Sequence, residues 1–170
     1  MSRWELSVVL AVVSMVAADG AGAAYEPAHL ATIMGVKGVE FSHVEDGHSS
    51  LGSGVGAFYE RAVIEGWLDV ELSLIGAQVD EHRVVPVDLL AKKPFEINHS
   101  FTAYVGGGGT ITVEEREAST DTEFGVALIA GVYLWPSEHW GIDVEVDYKY
   151  MVGPGNAREV ELAAGPVVRF

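Results

Sequence analysis

The segment 43–52 carries the residue types that most often do chemistry at a protein surface. Imidazole and carboxylate groups are common metal ligands, and a serine beside a histidine has the makings of a nucleophile and its base. No third group is fixed by the spacing, so we expect a solvated polar loop and keep both sites as alternatives. The residues concerned are His43, Glu45, Asp46, His48, Ser49 and Ser50.

Two further motifs have a weaker chemical meaning. The glycine run Gly106–Gly109 would suit a phosphate-binding loop, but neither the Gly-Lys-Ser/Thr sequence nor a helix follows it. We therefore expect a strand in which glycine lets neighbouring backbone, or the bulky Tyr104 and Tyr133, approach closely. The acidic stretch Glu114–Glu123 is expected to be a solvated loop, with binding of divalent ions as the alternative.

Other acidic residues alternate with apolar ones, most clearly between Gly141 and Met151. Successive side chains of a strand point to opposite faces, so this segment has one apolar face and one charged face. A helix would mix the two sets around its circumference. We expect a strand whose charged face carries Asp143, Glu145, Asp147 and Lys149.

The same period of two recurs along the chain and predicts an all-β protein of about eight strands. Polar connections at 44–52, 78–82, 114–121 and 152–157 alternate with shorter ones near 64–66, 93–98 and 136–139. The register of the first strand stays open, because turning Val39 and Phe41 outward would turn Lys37 outward as well. The predicted strands are 32–43, 53–63, 66–77, 82–92, 99–113, 122–135, 140–151 and 158–170.

Residues 1–23 have the pattern of a secretory signal peptide. The apolar run from Leu6 to Ala18 is too short for a permanent membrane helix, and Ala21 and Ala23 fit a small-residue cleavage site. Cleavage after Ala24 is the close alternative. We expect a signal peptide at 1–23 and a barrel domain at 24–170, which contains no further stretch of 18 apolar residues and so excludes a helical membrane protein.

Charge and cysteine content exclude two classes of protein. The chain has 25 acidic residues against 10 Lys and Arg, a formal charge of −15, whereas nucleic-acid binders present a basic face. It has no cysteine, which excludes a disulfide framework. Neither a nucleic-acid partner nor a cofactor is expected.

Alternation does not say whether the apolar face points out or in, since a soluble ligand-binding barrel has the same period with its faces reversed. Aromatic residues near the short connections favour an outward apolar face, because such side chains collect at membrane interfaces. The expected aromatic girdle is Trp67, Phe95, Phe101, Trp135, Trp140 and Phe170. The lumen would then hold a polar network of Glu40, Glu60, Asp69, Glu71, Asp88, Asp143, Glu145, Asp147, Lys149, Glu161 and Arg169.

The C-terminal segment EVELAAGPVVRF resembles the closing strand of outer-membrane β-barrels. Phe170, Val168, Ala164 and Leu162 match the terminal aromatic and alternating apolar residues of that strand, while Pro166 departs from the pattern. By pattern, the chain from residue 24 onward resembles small OmpA-type and OmpX-type barrels. The resemblance implies a closed, antiparallel, up-and-down barrel in the outer membrane, with its C-terminal strand read by the barrel-assembly machinery.

The resemblance also implies a function class. We expect a monomeric, non-enzymatic protein with a structural or surface-interaction role, next to outer-membrane lipid and lipopolysaccharide, with no catalytic residue or metal. Three alternatives stay open. They are a lipid A-modifying enzyme, a narrow cation-preferring channel, and a soluble periplasmic lipocalin-like binding barrel.

Overall fold

The computed structural model describes residues 31–45, 48–79, 82–116, 119–152 and 157–170. The expected signal peptide, its cleavage site and Asp46 lie outside these residues. In the described ranges, no helix is long and apolar enough to cross a membrane. The strands are β1 (Thr32–Glu45), β2 (His48–Ile64), β3 (Leu68–Val79), β4 (His82–Asn98), β5 (Phe101–Arg116), β6 (Ser119–Leu134), β7 (Trp140–Val152) and β8 (Arg158–Arg169).

Each strand pairs with the next, and β8 pairs with β1, which closes an antiparallel up-and-down barrel. The all-β barrel predicted from the alternation is therefore confirmed. Following directly paired residues from Met34 around all eight strands leads back to β1 at Val44 rather than at Met34. This stagger tilts the strands by about 40° and keeps an eight-stranded barrel narrow enough for side chains to fill it.

The three described connections lie at one end of the barrel, which we call the turn end. They join β2 to β3 around Gly66, β4 to β5 at His99–Ser100, and β6 to β7 at 135–139. The connection predicted near 93–98 is wrong, because β4 runs on to Asn98. The turn forms later because the Ser100 N–H donates to Asn98 Oδ1 at 2.9 Å, a local bond that asparagine supplies in turns. We call the opposite end the loop end.

The two faces of the wall have opposite character, and the apolar face points outward. Leu128 on β6 is 64% exposed, and exposed apolar side chains occur on all eight strands. The inward face carries buried charged and aromatic residues instead. This distribution is the reverse of a water-soluble barrel, in which the apolar face fills the interior. Outward members of the apolar face include Val36, Val55, Leu72, Leu89, Ile111, Val126, Val144 and Leu162.

Two groups of packed side chains fill much of the lumen. Tyr104, Tyr133, Trp135 and Phe58 pack together in one group, and the rings of Tyr104 and Tyr133 are 4.8 Å apart between centroids. The second group, nearer the loop end, contains Val39, Phe41, Ile75, Ala77 and Ala163. The charged side chains lie between and around these groups, so the polar network is enclosed by packed walls.

Candidate functional site in the lumen and at the loop end

Lys92 joins two carboxylates that face each other across strands β2 and β3. Glu60 and Glu71 are direct cross-strand partners, a placement that repels unless a cation lies between them. The Lys92 Nζ is 2.9 Å from Glu60 Oε2 and also binds Glu71. It donates to Tyr133 Oη at 3.1 Å and lies 4.2 Å from the centroid of the Tyr104 ring. Lys92 is therefore the central cation of this part of the lumen.

Lys37 makes a second bridge, between β1 and β7. Its ammonium binds Glu145 and is 3.6 Å from Glu71 Oε1, so the two lysines share Glu71. The Tyr104 hydroxyl is 2.7 Å from Asp143 Oδ1 and 2.9 Å from Glu145 Oε2. These contacts tie four strands together through charge-assisted hydrogen bonds, which are stronger than neutral ones.

A third lysine, Lys149, binds the carboxylates nearer the loop end. Its Nζ donates to Glu161 Oε2 at 2.8 Å and to Asp88 Oδ2 at 3.0 Å. Glu159 is further away, with 3.9 Å between Lys149 Nζ and Glu159 Oε1. Each of the three lysines thus contacts at least two acids, and all three are buried.

Most of the polar residues predicted for the interior lie in the lumen. Asp69 is half-buried near the turn end, where it pairs with Lys92 across the β3–β4 ladder. Arg169 closes the turn end: its guanidinium donates to the Glu138 carbonyl oxygen and lies 4.5 Å from the Trp135 ring. The fully buried members are Glu60, Glu71, Asp88, Asp143, Glu145, Asp147, Lys149 and Glu161.

The prediction that Glu40 lies in the lumen is wrong. Glu40 is exposed on the outer face, opposite Ser53 and Leu162. The reason is the parity of β1, since Lys37, Val39 and Phe41 all point inward. An outward Lys37 would lose its partners Glu145 and Glu71, whereas Glu40 lies in a small-residue stretch of the outer wall near Gly38 and Gly54.

Sequence reasoning missed three charged residues of the network: Lys37, Lys92 and Glu159. Lys92 shares the parity of Asp88 and would have been found by extending the β4 alternation four residues. Glu159 lies on the inward parity of β8 and was available from the same pattern. Lys37 carried no such signal, because its parity on β1 is otherwise apolar.

The predicted aromatic girdle lies at the turn end with one exception. Trp67, Trp140 and Phe170 are exposed on the outside, and Phe95 and Phe101 are half-buried at the same end. Trp135 is only 4% exposed and points into the lumen, so its place in the girdle was wrong. It shares the inward parity of Tyr133, and the centroids of the two rings are 5.6 Å apart.

At the loop end, the inward residues surround a cavity of about 140 Å³. His43 and Ser50 are direct cross-strand partners in the β1–β2 ladder, and His43 Nδ1 is 3.7 Å from Glu159 Oε2. His48, the other histidine of segment 43–52, pairs with Glu45 in the same ladder. The polar lining of this cavity, which we call the mouth pocket, is His43, Ser50, His82, Thr112, Glu114, Glu123 and Glu159.

No family model and no curated protein matches this chain. Solved structures share its fold. The crystal structure of Neisserial surface protein A aligns with a TM-score of 0.71 and 15% identity, over 82% of this chain and 99% of that chain. Ail, the attachment invasion locus protein of Yersinia pestis, aligns with a TM-score of 0.63 and 16% identity, over 84% and 100%. The outer membrane enzyme PagL aligns with a TM-score of 0.58 and 11% identity, over 78% and 97%. The chain therefore has the fold of small eight-stranded outer-membrane barrels.

Proposed function

We propose that this chain is an exported, non-enzymatic outer-membrane protein, with a structural or surface-interaction role. The observation that carries the proposal is the outward apolar face on all eight strands, combined with a charged and aromatic lumen. In water such a surface would drive aggregation, whereas in a bilayer it meets hydrocarbon. The exposed Trp67, Trp140 and Phe170 at the turn end suit the interface with the periplasm.

The proposed partners follow from this location. Outer-membrane lipid would contact the apolar face, and lipopolysaccharide would contact the loop end. The barrel-assembly machinery would read the C-terminal strand. Directly after that strand, Phe170 donates its N–H to the Thr32 carbonyl oxygen where β8 closes on β1. A monomer fits a closed barrel, because closure leaves no unpaired strand edge.

Conduction through the lumen is disfavoured by its contents. Tyr104, Tyr133 and Trp135 are packed together near the turn end, and the Arg169 guanidinium covers the Trp135 ring. Eight-stranded barrels have interiors that side chains fill, and the three buried lysines pin those side chains in place. These contacts support a closed barrel over a cation-preferring channel.

Outer-membrane isolation followed by gel electrophoresis tests the proposal. The protein is expected in the outer-membrane fraction, with different gel mobilities before and after boiling, because a closed barrel resists detergent until heated. N-terminal sequencing of the same band is expected to begin at Ala24 or Tyr25. Recovery in a soluble periplasmic extract, with one mobility under both conditions, would contradict the membrane location.

A charge on the apolar face sharpens this test. Leu128→Arg is expected to reduce the heat-modifiable band strongly, because an arginine facing lipid near the bilayer midplane costs about 2–4 kcal/mol. The matched control is Leu128→Ala, which removes bulk but adds no charge and is expected to keep the band. Equal behaviour of the two variants would mean that this face does not contact lipid.

A second candidate function is hydrolysis in the mouth pocket, and one arrangement favours it. One cavity is lined by Ser50, His43 and Glu159. His43 lies between the other two, so Ser50 would be the nucleophile, His43 its base and Glu159 the acid that orients the base. Ser50 Oγ would attack an ester carbonyl while His43 takes its proton and later gives it to the leaving alcohol. Water would then release the acyl group. Such a substrate would enter from the medium at the loop end.

Hydrolysis of a soluble chromogenic ester by the purified barrel tests this candidate. If Ser50 is the nucleophile, Ser50→Ala is expected to lower the rate at least about 100-fold. Ser49→Ala is the matched control, because the neighbouring Ser49 points outward and is exposed. No turnover by the wild-type protein, or equal rates in the two variants, would remove this function.

A further inference from the structure

Three carboxylates of the lumen lie close enough together to share one cation. Asp147 on β7 and Glu161 on β8 are direct cross-strand partners, and Glu145 is two residues from Asp147 on the same inward face. One oxygen from each carboxylate lies within 4.8 Å of the other two. Asp147 is 3% exposed and Glu161 1% exposed, so water does not compensate their charge from outside. We call Glu145, Asp147 and Glu161 the acidic triad.

Another acid pair in the same lumen has the same geometry but a different neighbour. Glu60 and Glu71 also face each other directly across two strands, and the Lys92 ammonium binds both. Around Asp147, by contrast, no Lys or Arg nitrogen of the described residues lies within 4 Å of its carboxylate. Lys37 is engaged by Glu145 and Glu71, and Lys149 by Glu161 and Asp88. The Asp147–Glu161 pair therefore has no lysine between its members.

Two oxygen atoms of the acidic triad have no hydrogen-bond partner in the protein. Asp147 Oδ1 and Glu161 Oε1 are buried and receive no hydrogen bond from the protein. Glu161 uses its other oxygen, Oε2, for Lys149, which leaves Oε1 available for a second ligand. Burying a polar oxygen without a hydrogen-bond partner is unfavourable, and it is more unfavourable when the oxygen is ionised. A ligand with positive charge would remove this cost.

The charge of the whole lumen points the same way. The buried charged residues of the described chain are eight carboxylates and three lysines. Lys37 binds Glu145 and Lys149 binds Glu161, and each of these lysines also contacts a further acid, so no lysine is left over for Asp147. A cation bound close to Asp147 would offset this excess of buried acidic groups.

We propose that the acidic triad binds one calcium ion inside the barrel. Carboxylate oxygens are the ligands that calcium prefers, and its coordination geometry is flexible. Calcium–oxygen distances of about 2.3–2.6 Å allow ligands on opposite sides of the ion to be about 4.6–5.2 Å apart, which accommodates the spread of the triad. Magnesium, with distances of about 2.0–2.1 Å and a strict octahedron, suits this spread less well. The ion would join β7 to β8 as Lys92 joins β2 to β3.

Calorimetric titration of the folded, detergent-solubilised barrel with calcium chloride, after removal of metal by EDTA, tests the proposal. We expect one ion per chain and a higher melting temperature in calcium. Asp147→Asn is expected to weaken binding at least tenfold. The matched control is Asp143→Asn, because Asp143 lies on the same strand and is also buried. The amide oxygen of the new asparagine can still accept the hydrogen bond from the Tyr104 hydroxyl.

Two results overturn the proposal. The first is that the wild-type protein binds no calcium, which would mean that the carboxylates share protons instead. The wild-type titration alone decides this. If Asp147→Asn binds as the wild type does, the ions lie on the surface acids near the loop end. Should Asp147→Asn fail to give a heat-modifiable band, Glu161→Gln replaces it with the same expected loss.

Discussion

Replacing Lys92 with methionine is expected to lower the free energy of unfolding by about 3–5 kcal/mol, the cost of removing one partner from a buried ion pair. The substitution keeps the length and bulk of the side chain but leaves Glu60 and Glu71 facing each other without a cation. Urea titration of the folded barrel in lipid vesicles, followed by tryptophan fluorescence, measures the change. Among the described residues, Lys92 is the one lysine of the lumen that contacts both members of an acid pair facing each other across two strands.

The neighbouring lysine supplies the control for this experiment. Lys93 lies on the outer face, where its ammonium donates to the Gly66 carbonyl oxygen at 2.6 Å. Lys93→Met is expected to change stability by about 1 kcal/mol or less, because its charge is not buried. Adding Glu71→Gln to Lys92→Met should restore part of the loss by removing one of the facing charges. If the two lysine variants lost equal stability, Lys92 would not be the cation that holds the acid pair.

Replacing Gly108 with alanine is expected to lower the free energy of unfolding by about 3 kcal/mol, the upper part of the usual range for overpacking. A Cβ at this position would lie 1.9 Å from the Leu89 carbonyl oxygen of β4 and 2.9 Å from the Leu90 Cα. Those atoms belong to backbone, so the β4–β5 ladder itself would have to open. The same urea titration measures the loss.

The adjacent glycine makes the comparison sharp. A Cβ on Gly109 would meet no atom closer than the Gly125 carbonyl oxygen at 4.0 Å, so Gly109→Ala is expected to stay within about 0.5 kcal/mol of the wild type. Both variants change glycine to alanine in the same strand. The effect of the substitution on the unfolded chain is therefore the same in both, and it cancels when their stabilities are compared. Equal losses would show that strand propensity, rather than close approach of β4 to β5, explains the glycine run.

The sequence by itself determined the number and order of the strands and most of their faces. A period of two needs only local geometry, because each side chain of a strand points away from the last. For that reason Asp143, Glu145, Asp147 and Lys149 could be assigned to one face without a structure. The same rule assigned Glu161 to the inward face of β8, and the glycine run Gly106–Gly109 to a strand.

The same rule failed where apolar and charged residues share one face of a strand. On β1, the apolar Val39 and Phe41 share the inward face with Lys37, so hydrophobicity pointed Glu40 to the wrong side. Trp135 was assigned by its residue type to the girdle, although its parity with Tyr133 put it in the lumen. In both cases contacts across the barrel decide the outcome, namely Lys37 with Glu145 and Trp135 with Arg169.

Only the tertiary structure decided which charges meet. Lys92 and Glu60 are far apart in sequence, and the closing of β8 on β1 brings Glu159 to His43. The stagger of the barrel sets these pairs, because it fixes the height at which each strand presents its residues to the lumen. Alternation therefore predicts which carboxylates are buried, while the pairing of the closed barrel decides which of them a lysine reaches. Asp147 faces Glu161 across the β7–β8 ladder and is not reached by a lysine.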